Sequence, residues 1–316
     1  MTSATLLLGL ALQSPPPDSG RTLYREWCSS CHGEDARGVG RSSARLEVPA
    51  TDLAGCAVSS AEPEDLWVAI VRDGGASVGL SMDMPAFGEG ATVEQLQAII
   101  RYIKSLCGET GWPPGELNLP RPLLAEKAFP ENEVVIETRG RVQELIYERR
   151  IGRRLQIEGV ARMLADSAGG FHSATAAVKY NAWHSLARRA LASVGLEVTP
   201  PLKAQRLWEI EPYVAYGANP GGGATVIQGE LVAPWEETEG VTGAELRLGI
   251  GRQIDRVVPM LEAGWTVPRE GQQEFALFPQ TWIQLSRLGH VAASIGVEIP
   301  LAGTAPRTAR LLAFVL

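Results

Sequence analysis

The run Val291-Ala292-Ala293-Ser294-Ile295-Gly296-Val297-Glu298-Ile299 alternates from end to end. Successive side chains of an extended chain point to opposite faces, so Val291, Ala293, Ile295, Val297 and Ile299 share one face. Ala292, Ser294, Gly296 and Glu298 share the other. Ala190–Thr199 repeats the pattern, with Ala190, Ala192, Val194, Leu196 and Val198 opposite Leu191, Ser193, Gly195, Glu197 and Thr199. In Ala224–Ala233, Ile227, Gly229, Leu231 and Ala233 oppose Gln228 and Glu230. Further runs are Glu133–Thr138, Leu145–Arg150, Leu155–Met163, Thr175–Trp183, Leu207–Tyr216, Ala244–Gly251, Val257–Val267, Phe275–Leu285 and Arg310–Leu316, twelve candidate strands in all. Most match a tilted membrane-spanning strand of about nine to eleven residues better than a soluble strand of about five or six. Turns such as Asn219-Pro220-Gly221-Gly222-Gly223 and Glu239-Gly240 separate them, and Trp183, Trp208, Trp235 and Trp265 lie near run ends. The even count, the length and the Gly-containing polar face predict a closed antiparallel barrel; a soluble β-sandwich or lipocalin-like barrel is the alternative.

Upstream of residue 132 the period changes. Gly111, Pro113, Pro114, Gly115, Pro120 and Pro122 predict an extended, poorly helical linker over residues 111–131. Before it the spacing is helical. Leu23, Tyr24 and Trp27 line one side of a helix leading into Cys28. Glu62 to Arg72 has Pro63 near its start, apolar Leu66, Ala69 and Ile70, and Gly74-Gly75 as a stop. Thr92 opens a capping box with Gln95, and Val93, Leu96, Ile99, Ile100, Ile103 and Leu106 follow at helical spacing.

The net charge of −7 is concentrated here, with −5 counted over residues 19–110 against −1 over 111–316. Without a basic footprint to neutralise phosphates, no nucleic-acid partner is expected. A content of 45% hydrophobic and 21% charged residues excludes a disordered chain and a bundle of membrane helices. The apolar run Leu6 to Leu12, followed by Ser14-Pro15-Pro16-Pro17, is too short to span a bilayer and reads as a leader of an exported protein over residues 1–18.

Cys28-Ser29-Ser30-Cys31-His32 is the C-x-x-C-H pattern of covalent haem attachment. Two residues between the thiols let both sulfurs reach the vinyl groups of one porphyrin, and His32 then falls under the iron as the proximal ligand. A zinc site would need two further ligands at comparable spacing. The chain has four histidines, His32, His172, His184 and His290, and His32 alone lies in the first 110 residues. A second imidazole from this segment is therefore excluded, and a thioether remains. Ser81-Met82-Asp83-Met84-Pro85-Ala86-Phe87-Gly88 supplies two. Pro85 holds the preceding residue extended, so Met84 is the expected sixth ligand and Met82 its rival. Met/His ligation closes both axial positions, which favours electron transfer over oxygen or peroxide chemistry.

With the C-x-x-C-H, the Met84–Gly88 loop and the amphipathic last helix, residues 19–110 resemble a class I c-type cytochrome. The resemblance implies three or more helices around one covalently bound haem c, with an exposed haem edge. Cys56 and Cys107 remain; in an exported protein their even count favours a disulfide, two buried thiols being the alternative. The twelve runs, with Lys127-Ala128-Phe129-Pro130-Glu131-Asn132-Glu133 ahead of them, resemble an outer-membrane β-barrel.

The expected fold class is therefore a multidomain α + β chain: an all-α class I cytochrome c domain, then an all-β antiparallel barrel of about twelve strands. The expected boundaries are leader 1–18, cytochrome 19–110, linker 111–131 and barrel 132–316. The expected function is that of a mono-haem electron carrier, not a catalytic enzyme, facing the periplasm and anchored in the outer membrane of a Gram-negative-type bacterium. Its expected partners are outer-membrane lipid and periplasmic redox proteins met through an acidic surface. The alternatives are a channel or transporter with the cytochrome as plug or redox gate, and a soluble periplasmic cytochrome with a partner-binding β-sandwich.

Overall fold

The structure is a computed structural model that describes residues 17–40, 45–165, 170–203, 207–287, 289–303 and 308–315. Residues 1–16 of the expected leader and Leu316 of the last expected strand lie outside these residues. The chain divides into two compact units, one of residues 1–59 with 64–108, the other of residues 60–63 with 109–316.

The first unit is helical: α1 (Pro17–Trp27), α2 (Ser29–His32), α3 (Cys56–Ser59), α4 (Glu64–Asp73) and α5 (Val93–Ser105). Helix α5 starts on a capping box, in which the Thr92 hydroxyl accepts from the Gln95 backbone N–H and the Gln95 side chain accepts from the Thr92 N–H. Leu96, Ile99, Ile100 and Ile103 then fall on one buried face against Tyr24 of α1, while Val93 stays exposed. The two helices cross at Gly20, where a Cβ would lie 2.2 Å from the Ala98 carbonyl oxygen. Helix α4 buries Trp67, Val68 and Val71, one step round from the expected Leu66, Ala69 and Ile70, which are half-buried. Cys56 of α3 and Cys107, just past α5, are joined in a disulfide.

The second unit is a single antiparallel sheet. Its strands are β1 (Glu133–Arg139), β2 (Val142–Ile151), β3 (Leu155–Leu164), β4 (Gly170–Ser185), β5 (Ala190–Thr199), β6 (Glu209–Ala218) and β7 (Thr225–Val232). Then come the two-residue β8 (Trp235–Glu236) and β9 (Gly240–Val241), followed by β10 (Gly243–Arg252), β11 (Val257–Pro268), β12 (Glu274–Gln284), β13 (Val291–Ala302) and β14 (Thr308–Val315). Each long strand has two neighbours, because β1 pairs with β14 and β5 with β6, so among the described residues the sheet closes on itself and no long edge is left unpaired. Eleven of the twelve expected runs match their strands to within a few residues at each end; the exception is β4, which extends well beyond Thr175–Trp183. Register shifts at Arg162/Met163 and Asn181/Trp183 mark irregularities on its two sides.

The faces of this ring are inverted relative to a soluble protein. Val134, Ile136, Tyr147, Ile157, Val178, Val194, Leu231, Leu248, Leu261, Ile295 and Val297 are exposed. Glu133, Glu148, Gln156, Lys179, Ser193, Gln228, Glu230, Glu262, Gln280 and Ser294 are buried inside. Water outside would penalise the first set and reward the second; hydrocarbon outside reverses both.

Residues 111–131 differ from a solvated tether. Apart from a 3-10 turn at Gly115–Leu117 the segment is irregular, yet Leu117, Leu119, Arg121, Leu123, Ala125, Lys127, Ala128, Phe129 and Glu131 are buried. It forms a re-entrant loop inside the ring. The loop begins at the rim where β3 starts, with Arg153 and Arg154 donating to the carbonyls of Thr110 and Gly111. Its middle is clasped by one carboxylate: Glu262 of β11 accepts from the backbone N–H groups of Leu123, Leu124 and Ala125 at 2.8, 3.0 and 3.3 Å. It returns to the same rim, where the Glu131 N–H donates to Gln156 and the Asn132 side chain accepts from the Arg150 N–H. Buried backbone groups must find partners, and an irregular segment in a lumen finds them on the polar inner wall.

Candidate haem site

The C-x-x-C-H residues occupy the turn joining α1 to α2. Cys28 caps α2, and the His32 N–H donates to the Cys28 carbonyl at 2.9 Å, so one helical turn carries all three groups. At this spacing Cys28 and Cys31 project from neighbouring positions on one side of the turn. Neither is in a disulfide. Burial, with Cys31 beside it, pushes the Cys28 thiol up to about 11. Gly33, at φ +78°, turns the chain away behind His32, and the buried Tyr24 hydroxyl fixes it by donating to the Gly33 carbonyl at 2.7 Å.

Burial holds the His32 imidazole below its ordinary pKa, against a smaller opposing pull from the Thr51 backbone. Its Nδ1 is a buried nitrogen without a hydrogen-bond partner in the protein. A buried, neutral imidazole is the form that ligates iron.

The two methionines separate. Met82 is 83% exposed, whereas Met84 packs against the helical core with Leu53, Trp27 and Phe87. The Met84 loop is pinned to the end of α4: Gly75 donates to the Met84 carbonyl, Phe87 to Val71 and Gly88 to Arg72. The tie is close, since a Cβ on Gly75 would lie 2.3 Å from the Ser81 carbonyl oxygen and 3.0 Å from the Met84 Cβ. Trp27 and Phe87 stack with centroids 6.1 Å apart. Thiols on one turn, a buried imidazole beside them and an inward thioether on a braced loop form a donor set that fits a haem c.

His172, His184 and His290 belong to the barrel unit and carry no second attachment motif. The features that strand alternation did not reveal are the lumen loop and its wall contacts. The inner positions of Glu133, Glu148 and Glu158 were legible from alternation, but the loop that meets them has no period.

Residues 15–103 match the family model described as cytochrome c oxidase, cbb3-type, subunit III. A comparison with curated proteins gives no match. Among solved structures, an outer membrane channel from Pseudomonas putida F1 is similar at TM-score 0.48 and 10% identity, covering 62% of this chain and 98% of that one. The KdgM porin in complex with disordered oligogalacturonate is similar at TM-score 0.46 and 8% identity, covering 58% and 97%. The outer membrane phospholipase of Salmonella typhi is similar at TM-score 0.38 and 8% identity, covering 64% and 96%. Over residues 15–103 the chain is thus similar to a cytochrome c domain, and the strands that follow form an antiparallel sheet with its apolar residues outward.

Proposed function

We propose that this protein is a mono-haem electron carrier that faces the periplasm and is held in the outer membrane by its own barrel. The observation that carries the haem assignment is the convergence of Cys28, Cys31, His32 and Met84 on one helical unit. Cys28 and Cys31 would hold the porphyrin covalently, and His32 and Met84 would ligate its iron. When bound, the haem supplies a one-electron iron couple. The protein's part is to fix the ligands: Tyr24 and Gly33 set the His32 turn, and Gly75, Val71 and Arg72 brace the Met84 loop. With both His32 and Met84 as ligands, such an iron would supply electron transfer between redox proteins rather than catalysis.

The inverted polarity of the closed ring supports the membrane anchor, and the termini rim of such barrels faces the periplasm. The buried loop in the lumen favours an anchor over an open channel.

Fractionation of cells expressing the full chain tests both parts. Haem stain should follow one band into the outer-membrane fraction and survive denaturing electrophoresis. Met84→Ala should abolish the visible band of methionine sulfur on ferric iron while the stain persists, and Met82→Ala should leave that band unchanged. Stain in the aqueous fraction overturns the anchor; exchanged outcomes for the two methionines overturn the ligand assignment.

A further inference from the structure

The barrel wall carries a row of carboxylates that its register places side by side. Glu133 of β1 is directly opposite Glu148 of β2, and Glu148 opposite Glu158 of β3. The row continues through Ala177 of β4 to Glu197 of β5 and Glu211 of β6. All of these positions fall on the inner face. Like charges opposite one another on neighbouring strands repel, and inside a protein the repulsion is poorly screened.

The cations present do not balance the row. From the lumen loop, Arg121 donates to Glu133 and to Glu148. Lys179 of β4 donates to Glu126 of the loop at 3.1 Å. Lys127 is engaged by Glu131 at 2.6 Å. Arg121 and Lys179 are thus taken up by Glu126, Glu133 and Glu148, and no ion pair joins either of them to Glu158 or Glu197 among the described residues.

Two of these carboxylates converge with Glu158. One oxygen from each of Glu126, Glu148 and Glu158 lies within 4.8 Å of the others. Oxygens that share one calcium-sized ion at about 2.3–2.6 Å can be no further apart than about 5 Å, so this spacing is one that a single ion bridges. A separate observation points to the same place. Glu133, outside that trio and 2% exposed, has an Oε2 without a hydrogen-bond partner, and its carboxyl lies within hydrogen-bonding range of Glu148. The Oε2 of Glu148 itself is likewise buried and unpartnered. Buried acceptors without partners call for a cation or a proton beside them.

We propose that Glu126, Glu148 and Glu158 bind a divalent cation inside the barrel, of the hard, oxygen-preferring class that includes calcium and manganese. The donors are all carboxylates, without sulfur or imidazole, which selects that class over zinc or copper. Glu126 comes from the lumen loop and Glu148 and Glu158 from the wall, so the ion ties the loop to β2 and β3.

The test uses the full haem-loaded chain in detergent, stripped with chelator and dialysed. Calcium chloride is titrated by calorimetry, and manganese chloride by the loss of the free-ion electron paramagnetic signal. The expected result is one saturable site per chain, weakened by about tenfold or more in Glu158→Gln and in Glu126→Gln. Circular dichroism and the anomalous mobility of unheated protein on gels confirm that both variants fold. A stripped protein that binds neither ion, or folded variants that bind as tightly as the parent, overturns the proposal; the row would then be neutralised by protons.

Discussion

Gly75 shows how narrowly the haem ligand loop is specified. It donates to the Met84 carbonyl, and a Cβ there has no room between Ser81 and Met84. Gly75→Ala should therefore displace the loop and weaken the methionine–iron band, with haem still attached to Cys28 and Cys31. A visible spectrum of the ferric protein checks this, and an unchanged band would show that the loop gives way elsewhere. At this scale the sequence was easily read, because C-x-x-C-H places its chemistry within five residues and needs no tertiary knowledge. The choice between Met82 and Met84 was less direct. Pro85 suggested it, but the exposure of Met82 and the packing of Met84 are products of the fold.

Strands were legible for the same reason that β13 was: alternation is local, and a closed ring makes nearly every strand half apolar and half polar. What alternation could not disclose is what the polar half touches. Ile295 is exposed on the outer face, so Ile295→Arg should cost about 2–4 kcal/mol of membrane stability, read as lost heat-modifiable mobility or a lower unfolding midpoint in bilayers. An open lumen would make Gly296→Arg mild. The structure predicts otherwise, since a Cβ on Gly296 would already lie 2.8 Å from the Leu123 Cδ1 of the lumen loop and from the Gln280 Cβ. Both variants should be severe, Gly296→Arg by expelling the loop, and only Gly296→Arg should gain ion conductance.

For the whole molecule, the segment that composition marked as a linker is the lining of the barrel's interior. Its Pro and Gly content predicts an extended, poorly helical chain, but says nothing of whether that chain faces water or a wall. Arg121 and Glu126 carried the missing signal, as charged groups whose partners Glu133, Glu148 and Lys179 lie on strands further along the chain. Replacing residues 112–130 by a Gly/Ser sequence of equal length should convert a non-conducting barrel into a conducting one in planar bilayers; equal conductance before and after would show that the loop does not seal it. The loop also has a mechanical character, because it leaves by the mouth through which it came. Both its ends are tied at one rim, to Arg153 and Arg154 on one side and to Gln156 and Arg150 on the other. A pull on residue 110 away from that rim loads these contacts in succession, from Gly111 through the Pro120 carbonyl on Gln228 to the Glu262 clasp, and never many at once. The wall strands, pulled lengthwise, would load whole ladders together. Tension on the N-terminal side would therefore peel the loop out at low force and leave the ring intact.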